Sequence, residues 1–299
     1  MDNVNDFFAT LSSYLWGWPM IVLLLGTHVF LSVRLRFPQR KLFTAIRLSV
    51  QRDKSQKGDV SQFGALATAL AATIGTGNII GVATAVALGG PGAVFWCWLT
   101  GVFGISTKYS EALLAIKYRV KSEKGHMLGG PMYTLERGLG WRKMGILFAV
   151  FTAIAAFGIG CTVQANAIST IMHASYGIST SVSGAVLMLL AAAVILGGVR
   201  SISKVCSMLV PFMALLYVLG CIYILCMNVV YVVPALKLIV NSAFSPEAAG
   251  GGLAGGSVIM AARYGIARGL FSNESGLGSA PIVAAAARTK NPVRQALVS

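Results

Sequence analysis

Seven long apolar stretches constrain this sequence more than any other feature. A helix that crosses a bilayer needs roughly 20 apolar residues. Runs of about that length or longer occupy residues 14–33, 64–90, 91–116, 144–174, 182–199, 205–233 and 253–287. Only 11% of the residues are charged, against about 25% in a typical soluble domain. The sequence therefore predicts an all-α integral membrane protein, with the lipid bilayer as its surroundings.

The basic residues are distributed as expected for a membrane topology signal. The net charge of +15 does not imply a nucleic-acid partner, because the Lys and Arg side chains lie in short segments between apolar runs. They gather in 34–63, 117–143, 200–204 and the tail after 287, whereas Lys237 is the one basic residue in the first 13 residues, 89–92, 175–181 and 234–252. The positive-inside rule then predicts a multi-pass cell-membrane protein with its N-terminus outside and its C-terminal tail in the cytoplasm.

Two of the seven runs are interrupted by glycine and polar residues. "GTGN" at 75–78 interrupts the second run, and "GLFSNESGLGSAP" at 269–281 interrupts the seventh. Four uninterrupted runs lie between them, so the two interrupted helices cross the membrane in opposite directions. That arrangement is typical of an inverted-repeat transporter with discontinuous helices and a binding site near the midplane. We predict one transmembrane domain, 1–299, comprising an extra helix at 14–33, a first repeat at 64–233 and the first helix of a second repeat at 253–287.

The first interruption offers groups for both ends of a zwitterion. A helix that restarts there presents the amides of Thr76, Gly77 and Asn78 and the positive end of its dipole, which suit a carboxylate. The carbonyls of Thr73 and Ile74, together with the Asn78 side-chain oxygen, are hard donors that suit an ammonium group or a small cation. This chemistry favours an amino acid bound together with a cation.

Two other interpretations of the glycines are open to test. Gly75, Gly77 and Gly81 could serve close helix packing, as small residues do in membrane helices. The same stretch resembles a dinucleotide-binding loop, but it is one residue too long and follows an Ala-rich helix rather than a strand. Asn78 and the second interruption favour a binding site over both.

The second interruption supplies a cluster of hydrogen-bond acceptors, which are Ser272, Asn273, Glu274 and Ser275. A carboxylate within a membrane span is costly and usually functional. Glu274 is therefore a candidate site residue, and the alternative is a structural pair with Arg263 or Arg268. Phe271 either caps a small pocket or faces the core.

Isolated polar residues in the other runs give weaker signals. Gln164 and Asn166 point to different faces of one helix, and we assign Gln164 to the site. His28, His126 and His173 show no metal-ligand spacing and are assigned no function. The runs contain no Ser/His/Asp set and no paired carboxylates, so no enzyme activity is predicted.

Three long stretches resemble one transporter family. Residues 64–98, 129–140 and 269–287 are similar to the alanine-or-glycine:cation symporters, also called sodium:alanine symporters. The resemblance implies a leucine-transporter-type fold of two inverted repeats, each beginning with a broken helix. It also implies a secondary active symporter that takes up a small neutral amino acid, alanine or glycine, with sodium or sometimes protons. No cofactor is implied beyond the cotransported ion.

The resemblance also implies roles for individual residues. The amides of Thr76 and Gly77 would hold the substrate carboxylate, and the Thr73 carbonyl and Asn78 side chain would bind sodium. Taken together, the predicted substrate residues are Thr73, Gly75, Thr76, Gly77, Gln164, Phe271, Ser272, Asn273, Glu274 and Gly276, and the predicted sodium residues are Thr73, Ile74 and Asn78.

Members of the family continue with further helices after the second broken helix, which complete the second repeat. We therefore expect a chain truncated after the first helix of that repeat, in which residues 271–276 would face lipid or another chain. The alternative function is an inactive fragment or a non-transporting membrane protein. Alanine against glycine, L against D forms, sodium against protons, stoichiometry and oligomeric state are all left open by the sequence.

Overall fold

A computed structural model describes residues 2–51, 58–244 and 258–299. Its helices are α1 (Asp2–Leu15), α2 (Trp18–Arg34), α3 (Leu42–Val50), α4 (Gln62–Thr73), α5 (Val82–Gly89), α6 (Gly92–Lys117), α7 (Pro131–Leu139), α8 (Arg142–Ala155), α9 (Val163–Tyr176), α10 (Thr180–Ile195), α11 (Gly198–Met227), α12 (Val229–Phe244), α13 (Val258–Asn273), α14 (Ala280–Ala285) and α15 (Pro292–Val298). Short helical turns occupy Pro38–Lys41, Gly77–Gly81 and Ala156–Thr162, and strands β1 (Val120–Lys121) and β2 (Met127–Leu128) form an antiparallel hairpin. The described chain is mostly helical, as predicted.

Several helices have the length and apolar character of membrane spans. Among the described residues, Asn5–Arg34, Arg142–Tyr176 and Gly198–Met227 qualify, and the interrupted pair Gln62–Thr73 and Gly77–Gly89 gives a fourth span if it is counted as one. The helices α10 and α12 are apolar but shorter. These helices fit a multi-pass membrane protein, while the count of seven spans and their orientation stay predictions.

The predicted borders around α11 are wrong. Residues 200–204 are predicted as a loop but lie inside α11. Arg200 and Lys204 are exposed on the first two turns of this helix, so their charges are compatible with helical structure. The predicted span at 205–233 ends at Met227, where the Asn228 side chain donates to the Ile224 carbonyl at 2.9 Å. The whole described part of the predicted loop 234–252, residues 234–244, belongs to α12.

The two ends of the chain also differ from the prediction. Residues 2–13 lie within α1, and the predicted tail contains α15, which buries Gln295, Ala296 and Val298. Residues 253–257, with which the predicted seventh span begins, lie outside the described residues, as do Arg52, Lys54 and Lys57 of the predicted loop 34–63. The rest of that span is interrupted after Asn273, within the predicted stretch.

The described residues divide into two compact units. Unit 1 consists of the described residues within Met1–Arg40, Gly77–Lys108 and Leu216–Leu277. Its apolar core joins α2 to α13 through Ile21, Leu24, Ala262, Ile266 and Leu270.

Two glycines bring α13 close to α6 within unit 1. A Cβ atom on Gly265 would overlap the Ala93 carbonyl oxygen and lie 2.7 Å from Trp96 Cβ. A Cβ atom on Gly269 would lie 2.9 Å from Thr100 Cβ. Because neither contact leaves room for a methyl group, this Gly-x-x-x-Gly pair packs two helices in the way that small residues do in membranes.

Unit 2 consists of the described residues within Lys41–Thr76, Tyr109–Leu215 and Gly278–Ser299. Residues near the end of α14 pair with the segment before α4 through a parallel bridge between Val60 and Ala287. The Arg119 guanidinium donates to the carbonyls of Ala285, Ala287 and Thr289 at 2.9, 2.8 and 2.7 Å. These bonds satisfy carbonyls at the C-terminal end of α14 and hold that end in place.

The Asp59 carboxylate organises the neighbouring hairpin of unit 2. It accepts a hydrogen bond from the Met127 amide at 2.7 Å and lies 3.4 Å from His126 Nδ1 and 3.8 Å from Arg200 Nη2. Burial lowers the pKa of the Arg119 guanidinium, and the Asp59 charge opposes that shift. His126 therefore belongs to a polar cluster, which its isolated position in the sequence did not indicate.

Candidate functional site

The first interrupted helix breaks where the sequence predicts. The helix α4 ends at Thr73, and Ile74 adopts an extended conformation with φ −86° and ψ 92°, while its amide still bonds the Leu70 carbonyl at 2.7 Å. A π-helical turn at Gly77–Gly81 restarts the helix and continues into α5. Glycine and asparagine are weak helix formers, which explains why the helix breaks at this stretch.

The glycines of this first break are not required by packing. A Cβ atom on Gly77 would lie 3.4 Å from Phe271 Cδ1 and 3.5 Å from Ser272 Oγ. A Cβ atom on Gly75 would lie 3.7 Å from Gln164 Oε1. These are ordinary van der Waals separations, so a methyl group would fit against its protein neighbours. Close helix packing therefore does not account for glycine at either position.

The second break contains three residues with left-handed backbone, of which Gly278 has φ 78°. After α13 ends at Asn273, Glu274 has φ 53° and Gly276 has φ 86°. Glycine adopts such angles without strain, whereas a residue such as glutamate incurs a cost of about 1–3 kcal/mol. Strained residues of this kind cluster at functional sites, which makes the turn around Glu274 a candidate for ligand binding.

The two breaks meet within unit 1. Ser272 Oγ donates a hydrogen bond to the Gly77 carbonyl at 3.0 Å, and Phe271 contacts Gly77 as described. Ser272 is buried and Ser275 has no exposed surface. The expectation that residues 271–276 would face lipid or another chain is therefore wrong for these two serines, because α2, α6 and the first break cover them.

Gln164 contacts the first break within unit 2. The Thr76 hydroxyl donates to Gln164 Oε1 at 2.8 Å, and both side chains are half-buried. Asn166 is exposed, which agrees with its assignment to a different face of the helix. A π-helical turn at Ala156–Thr162 precedes Gln164, a feature that is frequent at functional sites and that the sequence did not reveal.

The remaining predicted residues have local roles in the structure. Thr73 Oγ1 bonds the Ala69 carbonyl at 2.8 Å, and Asn273 Nδ2 donates to Ser275 Oγ at 3.1 Å. Asn78 lies half-buried in the π-helical turn. Among the described residues no group of three or more His, Cys, Asp and Glu could hold a metal ion.

His28 lies beside the second break, which the sequence did not indicate. It is completely buried, and its Nε2 atom lies 3.1 Å from Ser275 Oγ in the second break. Its Nδ1 atom lies 2.7 Å from Thr107 Oγ1 of α6. The available signal was a polar ring in the middle of the first apolar run, which is costly in a membrane unless it is paired.

Comparison with known proteins identifies the family. The profile of the sodium:alanine symporter family matches residues 1–299. The chain belongs to the sodium:alanine symporter family. An uncharacterized transporter of Haemophilus influenzae is 52% identical over 299 residues, which cover 99% of this chain and 66% of the relative. The sodium/alanine symporter AgcS of Methanococcus maripaludis is 53% identical over 297 residues, which cover 97% of this chain and 65% of AgcS.

The sodium:alanine symporter family is one of transporters rather than enzymes, and the resemblance in the three long motifs is confirmed. The chain spans about two thirds of the length of the curated relatives it matches, at 66% and 65%.

Proposed function

We propose that this protein is a secondary active symporter that couples uptake of a small neutral amino acid, alanine or glycine, to sodium across the cytoplasmic membrane. Membership of the sodium:alanine symporter family supports the proposal, as does the name of the Methanococcus maripaludis relative. The observation that carries it is the hydrogen bond from Ser272 to the Gly77 carbonyl, because this bond joins two interrupted helices. Interrupted helices of this kind expose backbone groups that can bind a polar ligand at membrane depth.

The substrate carboxylate is proposed to bind the amides of Thr76 and Gly77. These amides lie where the helix restarts at Gly77, and the N-terminal end of a helix favours negative charge. Gly75 and Gly77 lack side chains, which leaves the backbone open to a ligand. The complete set that we propose to contact substrate is Thr73, Gly75, Thr76, Gly77, Gln164, Phe271, Ser272, Asn273, Glu274 and Gly276.

Sodium is proposed to bind the carbonyls of Thr73 and Ile74 and the side-chain oxygen of Asn78. The helix α4 ends at Thr73, and the C-terminal end of a helix favours positive charge. Neutral oxygens suit a small hard cation. A carboxylate and a cation that bind adjacent parts of one break lower each other's cost of desolvation, which would couple the two affinities.

The transport cycle follows from a repeat structure that we also propose. In it, an extra helix at 14–33 precedes a first repeat at 64–233, and 253–287 begins a second repeat with inverted topology. Binding of sodium stabilises the outward-open state, and substrate then binds before the repeats rock to the inward-open state. The N-terminus lies outside and the C-terminal tail in the cytoplasm. Inward movement of one sodium charge gains about 2.3 kcal/mol from a membrane potential of 100 mV that is negative inside.

Uptake of labelled alanine into proteoliposomes tests the proposal. The protein is reconstituted with an inward sodium gradient, with an inward proton gradient, or with neither. We expect uptake that requires sodium and that excess glycine inhibits. The Asn78→Ala variant should need about tenfold more sodium for half-maximal uptake, since tenfold corresponds to about 1.4 kcal/mol of lost interaction. The matched control is Asn166→Ala, which removes an exposed amide of the same kind.

The melting temperature of each sample separates loss of function from loss of folding. Uptake that follows the proton gradient and ignores sodium would contradict the proposed ion. An Asn78→Ala variant with unchanged sodium dependence would contradict the proposed ion site. Absence of uptake by a protein that melts cooperatively would contradict symport by this chain.

A further inference from the structure

A buried chain of hydrogen bonds lies behind the second break, within unit 1. It runs from Thr107 Oγ1 to His28 Nδ1 at 2.7 Å, from His28 Nε2 to Ser275 Oγ at 3.1 Å, and from Ser275 Oγ to Asn273 Nδ2 at 3.1 Å. His28 and Ser275 are 0% exposed and Thr107 is 4% exposed. The helices α2 and α6 thus reach the second break through one imidazole ring.

The ring is held by a second set of polar contacts between the same two helices. Ser32 lies one turn after His28, and its Oγ is 2.8 Å from both the His28 carbonyl and Ser106 Oγ. The Gln39 side-chain amide donates to Ser32 Oγ at 3.1 Å and to the Val102 carbonyl at 3.1 Å. These bonds tie the segment that follows His28 to α6 and so fix the place of the ring.

Ser275 lies in a turn that is enclosed by both α2 and α6. It lies between Glu274 and Gly276, both of which have positive φ angles. A Cβ atom on Gly104 of α6 would overlap Asn273 Nδ2 and lie 2.6 Å from Ser275 Oγ, and one on Gly276 would lie 3.1 Å from Leu24 Cδ2 of α2. The turn is thus enclosed on two sides, and the His28–Ser275 contact is its polar attachment to α2.

We propose that His28 is a positioning residue, which holds the Asn273–Gly276 turn in its ligand-binding shape through Ser275. The proposal rests on the proposed function, because that function assigns the turn to the substrate. Either neutral tautomer fits: the ring donates to Ser275 while Thr107 donates to the ring, or the directions reverse. In both cases loss of the contact removes one hydrogen bond of the buried Ser275 hydroxyl and leaves it the bond from Asn273, which favours rearrangement of the turn.

Two substitutions of His28 separate positioning from mere filling of space. The amide of His28→Gln reaches the place of Nε2 and can still bond Ser275. The shorter amide of His28→Asn reaches only the place of Nδ1 and can bond Thr107 alone. Both variants remove the ring and keep one buried hydrogen bond, so a purely structural role predicts similar behaviour for the two.

Hydrogen exchange of the peptide 269–281, measured on the purified protein without substrate, is the first readout. We expect faster exchange in His28→Asn and Ser275→Ala than in the original protein, and near-normal exchange in His28→Gln. His173→Gln is the control, since that ring is exposed and its Nδ1 atom lies 3.3 Å from the carbonyl of Ile178, five residues further along the chain. Equal exchange in His28→Asn and His28→Gln would overturn the proposal.

Equilibrium binding of labelled alanine is the second readout. His28→Asn should weaken binding about fivefold to tenfold, as expected for one hydrogen bond, and His28→Gln less than twofold. The double variant His28→Asn with Ser275→Ala should be no weaker than either single variant, because the two changes remove one contact. Failure of the original protein to bind alanine would refute the proposed function, and the exchange experiment would still decide the role of His28.

Discussion

Two pairs of glycines in this protein differ in what a methyl group would touch. At Gly265 and Gly269 a Cβ atom would overlap or press against α6, with separations of 2.7 Å from Trp96 Cβ and 2.9 Å from Thr100 Cβ. At Gly75 and Gly77 it would lie 3.4 Å or more from the nearest atoms other than its chain neighbours and the backbone of its own helix. The first pair is required by packing, whereas packing leaves the second pair unexplained.

The difference separates two uses of one residue type in membrane helices. Small residues four apart let helices approach closely, which is the use at Gly265 and Gly269. Two glycines flanking Thr76 break the helix and leave backbone exposed, which is the proposed use at the substrate site. A substitution series at the two pairs should therefore affect different properties: folding at the first pair and ligand binding at the second.

The largest effect on folding is expected for Gly265→Ala. The added methyl group would force α13 away from Ala93 and Trp96, and overpacking of this kind costs about 1–3 kcal/mol. The measurement is the free energy of unfolding in detergent. Gly184→Ala is the control, because a Cβ atom on Gly184 would meet nothing within 4 Å apart from its chain neighbours and the backbone of its own helix. A Gly265→Ala protein as stable as the control would contradict the packing role.

Gly77→Ala should weaken alanine binding without lowering the free energy of unfolding, which is the opposite of the effect expected at Gly265. We expect alanine binding to weaken about tenfold, which is about 1.4 kcal/mol, because the methyl group would occupy space proposed for the substrate. The unfolding free energy should not fall, since Gly to Ala removes backbone freedom and gains about 0.5–1 kcal/mol in a helix. Loss of stability together with binding would instead assign Gly77 to packing.

Gln164→Ala tests the part of the first break that lies in unit 2. The change removes the bond from Thr76 Oγ1 to Gln164 Oε1, and a typical hydrogen bond contributes about 0.5–1.5 kcal/mol. We expect a severalfold rise in the alanine concentration for half-maximal uptake. Asn166→Ala should leave that concentration unchanged, and equal effects of the two variants would argue against a specific role for Gln164.

The helix break at Thr73 and the break after Asn273 were predictable from the sequence. The first interrupts an apolar run with glycine, threonine and asparagine, and the second with glycine, serine, asparagine and glutamate. Hydrocarbon does not tolerate such residues unless their polar groups are satisfied. Ser272 could be predicted as part of a polar cluster. Its bond to the Gly77 carbonyl could not, because the partners are 195 residues apart and only the packing of α13 beside α5 brings them together.

Other features could not be predicted from hydropathy or from local sequence patterns. His28 is 79 residues from Thr107 and 247 from Ser275, so its contacts depend on tertiary packing alone. The sequence predicts residues 234–244 of α12 as a loop, because Pro234, Lys237 and Asn241 interrupt the apolar run there. The sequence predicts the segment of α15 as an exposed tail, because it carries the charged residue Arg294. In the structure Arg294 donates a hydrogen bond to Gln62 Oε1 at 3.1 Å.

The most direct test of the account is the binding of labelled alanine to the purified protein at rising sodium concentrations. If one break binds both ligands, the affinity for alanine must rise with sodium, and the affinity for sodium must rise by the same factor with alanine. We expect this coupling in the original protein and in Asn166→Ala, and its loss in Asn78→Ala. Alanine binding that is independent of sodium, or coupling that survives in Asn78→Ala, would contradict the account.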